Sequence, residues 1–188
     1  MAAGLVLHAG VARGRFIAPG LDTAGLTDAA DIVAAGRIAR VTPTGRIQPA
    51  GTAPNQHEAL EVGEATLDVA FVLKGAPSAT RITFEFIPEA LDPRGVAPGE
   101  YRIFFLVRRG DRFGVVDDYN PSVAAVPGVT VPPEDTEPID RVADLVGPWL
   151  VGPASTKAQK MDALWTLRWS RGPRTIDFLR RGVADSND

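Results

Sequence analysis

Between residues 64 and 73, Ala65, Leu67, Val69, Phe71 and Leu73 alternate with Glu64, Thr66, Asp68, Ala70 and Val72. A period of two predicts a β-strand with one face in a core. The run stops at Lys74-Gly75-Ala76-Pro77, where glycine tolerates positive φ and proline cannot donate to a strand ladder. A second strand, from about residue 80 to 87, sets Ile82, Phe84 and Phe86 on one face and Thr83 and Glu85 on the other, so the pair reads as a hairpin. Upstream, Ala30 to Gly45 is β-branched at Ile32, Val33, Ile38 and Val41, and its alternation slips around Gly36. A glycine inside a strand pattern marks a bulge or bend, as the long first strand of a small barrel requires. Downstream, Tyr101 to Arg109 is apolar on both parities, with Ile103, Phe105 and Val107 on one and Phe104 and Leu106 on the other. That strand is expected to be covered on both faces. The turn Gly110-Asp111 leads into a short strand from Arg112 to Val116, with Phe113 and Val115 in phase.

A long first strand, a hairpin, a long connection from Pro88 to Glu100 and a closing hairpin match the spacing of a five-stranded OB-type antiparallel barrel. A small sandwich or an SH3-like barrel fits nearly as well. The connection holds three prolines and two glycines, so a loop is expected where such barrels often carry a helix. The fold class expected is therefore mainly β with a helical tail. Residues 1–29 read as an N-terminal extension, 30–118 as the barrel, 119–137 as a Pro-rich linker and 138–188 as the tail. Val123, Val126, Val129 and Val131 give the linker enough apolar surface to pack on the barrel. In the tail, Thr136 reads as the N-cap of a helix with Pro138 just inside it and Ile139, Val142, Ala143, Val146, Trp149 and Leu150 on one face, which Pro148 should kink or end early. The capping box Thr156-Lys157-Ala158-Gln159 opens a second helix to about Ser170, with Met161, Leu164, Trp165 and Arg168 on a stripe. After Gly172-Pro173 comes a third helix carrying Ile176, Leu179 and Val183.

Composition narrows the partners. With 19 Gly and 16 Pro in 188 residues the chain is rich in turns, and one main core is the default at this length. A net charge of −3 and a pI near 5.4 offer no attractive field to a phosphate backbone, so nucleic acid is not expected as a partner. Zero cysteines exclude disulfides, thiolate nucleophiles and zinc-thiolate sites together. No apolar run reaches about 18 residues, so no bilayer-spanning helix is expected, while peripheral membrane contact stays open. The opening stretch, MAAGLVLHAGVARG, ends in small residues with Gly10 and Ala12 placed as a signal-peptidase site would want them, yet it lacks a basic start. It reads either as the end of a signal peptide or as a flexible or edge-pairing segment.

The segments ADIVAAGRIARV, ATLDVAFVLKGAP with ITFEF, and GEYRIFFLVRRGDRFGVVD resemble a domain of secreted bacterial proteins, similar in fold to the netrin-like domain and to tissue inhibitors of metalloproteinases. The resemblance covers about residues 26 to 118. It implies an OB-type barrel and export to the periplasm or cell exterior, with the cytoplasm as the alternative. Those inhibitors reach a catalytic zinc through an N-terminal cysteine, which this chain lacks, so that activity does not carry over. The tail segment KMDALWTLRWSRGPRTIDFLRRGVAD resembles a single HEAT-type repeat, which cannot bury its apolar face alone.

Catalytic chemistry has little to build on. His8 and His57 stand apart from any nucleophile, and HEALE at His57 to Glu61 lacks the second histidine of a metalloprotease helix. Asp117, Asp118 and Asn120 form an acidic cluster too short for a recognised calcium loop. No catalytic residue, cofactor or metal is therefore expected. The function expected is a binding or assembly module, an accessory subunit docking on another protein. Trp165, Trp169, Arg168, Arg171 and Arg174 are the expected partner-binding residues, because tryptophan with arginine is enriched at interface hot spots. A solvated helical face explains the arginines as well. The alternative function is a carboxylate-based ligand, calcium or hydrolytic site at Asp117 and Asp118.

Overall fold

A 17-residue strand, β1 (Ile32–Gln48), organises the molecule, because it pairs antiparallel with β2 (Leu60–Lys74) along its length and with β4 (Tyr101–Arg109) over Ile32 to Arg37. The structure, a computed structural model, describes residues 21–48, 60–77, 79–88, 96–118, 120–130, 135–168 and 170–185. β3 (Arg81–Phe86) continues from β2, and β5 (Arg112–Val115) pairs antiparallel with β4 and parallel with β3 through Phe84–Phe113 and Glu85–Gly114. The hydrogen-bonded pairings thus return to their start: β1, β2, β3, β5, β4, β1. A sixth strand, β6 (Ser122–Ala124), takes the same edge of β4 as β5 does.

Two apolar clusters lie on opposite sides of the β1–β4 wall. Inside the ring, Ile32, Ala34 and Ile38 of β1 meet Leu67, Phe84, Phe104, Leu106 and Val115. The Phe84 and Phe104 ring centroids lie 4.7 Å apart at 46°, a tilted contact favoured by the ring quadrupoles. Outside it, Val33, Ala35, Ile103 and Phe105 meet the helices. Strand parity separates the clusters, so β4 is apolar on both faces because both are covered, as its pattern predicts.

One face assignment differs from expectation. Ala65, Leu67 and Val69 sit on the ring side, whereas Phe71 and Leu73 belong to the helix-side cluster. Gly36 pairs with Val69 and Ala35 with Phe71, so Ala70 is an extra residue that reverses which face later residues occupy. A Cβ at Gly36 would stand 2.1 Å from the Asp68 carbonyl oxygen, so only glycine permits this approach.

The helical layer holds α1 (Thr23–Ala29), α2 (Pro138–Val151), α3 (Lys157–Leu167) and α4 (Pro173–Asp185). The expectation of a mainly-β chain is met in part: among the described residues one six-stranded sheet carries four helices, three of them C-terminal. α1 falls inside the expected extension; Asp22 caps it by accepting from the Gly25 N–H at 2.7 Å, and Leu26 anchors it in the core. β6 lies in the expected linker, whose Val123 and Val129 pack on the helix-side cluster as anticipated; Val131 lies outside the described residues. α2 is the hub, burying Val142, Ala143, Leu145, Val146 and Leu150. Each such Val or Leu contributes about 1.5–3 kcal/mol. Its N-cap is Glu137 rather than Thr136, and Pro148 neither ends nor breaks it, since the helix closes only three residues later. α3 ends at Leu167, with Arg168 as its C-cap, three residues before the expected Ser170.

Candidate functional site

α3 begins at a complete capping box: Gln159 N–H donates to Thr156 Oγ1 at 3.2 Å, and Thr156 N–H donates to Gln159 Oε1 at 2.9 Å. Its inward positions carry Ala163 and Leu167, 1% and 0% exposed. From α1, Thr23 Oγ1 donates to the Thr166 carbonyl at 2.8 Å and ties the end of α3 down. The helix is thus positioned by Ala163 and Leu167, while three other large apolar residues point away. Met161, Leu164 and Trp165 are 45%, 40% and 53% exposed. Their i, i+3, i+4 spacing places them side by side on one face. Arg168, one turn on, lays its guanidinium over Trp165, with Cζ 3.7 Å from the ring centroid. That contact restrains both side chains and presents an aromatic edge next to a charge.

The expected arginines divide. Arg168 belongs to this face and Arg171 is exposed beyond it. Arg174 instead serves the α2–α4 contact: its backbone N–H donates to Asp140 Oδ1 at 3.1 Å and its side-chain Nε stands 3.6 Å from Asp144 Oδ2. Trp169 lies outside the described residues. Two other tail aromatics are packed, Phe178 at 9% exposure and Trp149 half-buried against the helix-side cluster.

At the acidic cluster, Asp117 Oδ2 accepts from the Leu21 N–H at 3.2 Å and from the Asn120 amide at 3.4 Å, which fastens the chain entering α1. Burial pushes the Asp118 carboxyl above the usual carboxylate value; Arg109 and an Ile87 backbone hydrogen bond oppose the shift and Asp117 adds to it. His8 and His57 lie outside the described residues, and Glu61 stands in β2 opposite Ile47. Among the described residues no three His, Cys, Asp or Glu side chains gather as metal ligands, and no helix is long and apolar enough to cross a membrane. One group that sequence reasoning missed is Arg141, whose partner, the Leu73 carbonyl, is 68 positions away. No protein-family model matches the chain, and no curated protein matches it.

Proposed function

We propose that the protein is a non-catalytic docking module, an OB-type barrel that presents α3 to another protein after export to the periplasm or cell exterior. The long shared first strand and the parallel β3–β5 closure support the OB reading. One observation carries the docking reading: α3 is anchored by Ala163 and Leu167 while Met161, Leu164 and Trp165 remain outside with Arg168 on the tryptophan. The partner we commit to is a protein segment with an apolar anchor flanked by carboxylates. Lys157, Lys160, Arg168 and Arg171 outnumber Asp162 around the stripe in a chain of net charge −3, so this patch complements an acidic surface. Asp117, bonded to Leu21 and Asn120, is better read as a loop tether than as a reacting group.

A photo-reactive side chain at position 161 should cross-link the partner in native cells, and Trp165→Ala should then weaken the purified pair by about 2 kcal/mol. The same variant should unfold within about 0.5 kcal/mol of the parent. Unchanged affinity for the cross-linked partner, or a large loss of stability, overturns the reading.

A further inference from the structure

A cavity of about 470 Å³ lies between the turn that follows β2 and the first turn of α2. That volume falls in the range of small-ligand sites. Leu73, Pro77 and Pro138 supply apolar wall, and the polar groups are Lys74, Thr136 and Arg141, with no carboxylate among the described lining residues. Arg141 is the unusual member. Its Nη1 donates to the Leu73 carbonyl at 3.0 Å, but its Nε is buried without a hydrogen-bond partner among the described residues. Among the described residues no carboxylate lies within ion-pair distance of this guanidinium. A half-buried cation with an orphaned N–H costs free energy that a counter-ion recovers.

The surroundings reinforce the sign. Lys74 Nζ is held by the Thr27 and Asp28 carbonyls at 2.8 and 2.9 Å, two acceptors among the described residues for its three N–H groups. α2 begins here without a side-chain cap; Pro138 has no N–H and the Asp140 N–H donates to the Glu137 carbonyl at 3.0 Å, so the helix dipole contributes its partial positive charge mainly at Ile139. Of the carboxylates at this end of α2, Asp140 is engaged by the Arg174 backbone N–H, and Asp135 and the N-cap Glu137 flank the pocket without lining it. We infer that this cavity binds an oxyanion, the carboxylate or phosphate group of a small molecule with a short apolar body, and that Arg141 is its anchoring cation. Guanidinium matches both anions through paired N–H donors, and the apolar wall accommodates the remainder.

The site is separate from the α3 surface, so either can fail alone. The test is an NMR titration of the full chain at constant ionic strength with hexanoate and, separately, inorganic phosphate. Saturable shifts at Leu73 to Ala76 and Thr136 to Arg141, with α3 unmoved, are expected for at least one probe. Saturation by hexanoate alone identifies a carboxylate source, and saturation by phosphate alone a phosphorylated one. Arg141→Gln removes the charge while retaining a polar side chain, and should weaken the responding probe by about tenfold or more. If that variant does not fold, Thr136→Glu supplies a competing carboxylate at the same wall and should bring the same loss. Saturation by neither probe, or undiminished binding in the folded variant, overturns the proposal.

Discussion

α3 and α4 are similar in length and share a neighbour, α2, yet they place Trp165 and Phe178 oppositely. α4 turns Phe178 inward, onto Gly147 of α2 so closely that a Cβ there would stand 2.3 Å from the ring, and Leu150 of α2 lies likewise on Gly182, while Ile176 and Val183 stay exposed. α3 packs through Ala163 and Leu167 and holds Met161, Leu164 and Trp165 in solvent. Within one hairpin, then, large apolar side chains have two uses. Where glycine opposes an aromatic ring the contact is completed inside the chain; where Ala163 and Leu167 seat the helix, the tryptophan is left in solvent.

The strongest way to break this comparison is Phe178→Ala, which should cost about 3–5 kcal/mol in urea unfolding by leaving a cavity over Gly147. A cost no larger than that of Trp165→Ala would erase the distinction between the two helices. Gly147→Ala attacks the same contact from the other side and should cost about 1–3 kcal/mol, since the ring has little room to retreat in a packed layer.

The smallest effect sharpens the comparison through pH. Burial pushes the Asp144 carboxyl above the ordinary carboxylate value; Arg174 opposes the shift incompletely at 3.6 Å and with its own side chain 56% exposed, and Asp140 adds to it. A raised folded-state pKa means that the folded chain holds the proton more tightly than the unfolded chain. Stability from this group is therefore greatest in acid and falls as pH rises from the ordinary carboxylate value through the raised one. Melting curves across that window should show the decline in the parent and a shallower one in Asp144→Asn. The slope that remains has the sign set by Asp118, whose carboxyl is also pushed up.

Local pattern carried most of the architecture. Both parities of β4 are apolar because a ring interior lies on one side and helices on the other, and the stripe on α3 follows directly from helical spacing. What escaped the pattern depends on distant partners. The face reversal at Ala70 is invisible in an uninterrupted alternation, because it arises from β1 closing against β2 at Gly36. α1 is seven residues long with Leu26 as its anchor, and the Asp22 to Gly25 cap was its local signal. β6 is three residues pinned by β4, too short to show a period. Pro148 was expected to interrupt α2, but the buried face on both sides of it holds the last turn in place. Arg141 reads as an ordinary helix-surface cation until the turn after β2 is folded over it.

The pairing of β1 also sets a gradient of local opening along one strand. From Val33 to Arg37 it is paired on both edges, with β2 and β4, so releasing an amide there requires parting the ring. From Thr42 onward only β2 accompanies it, and the residues become exposed, Ile47 at 66%. Solvent exchange of backbone protons therefore proceeds by global unfolding at one end of β1 and by simple fraying at the other, so a single strand belongs to two cooperative units.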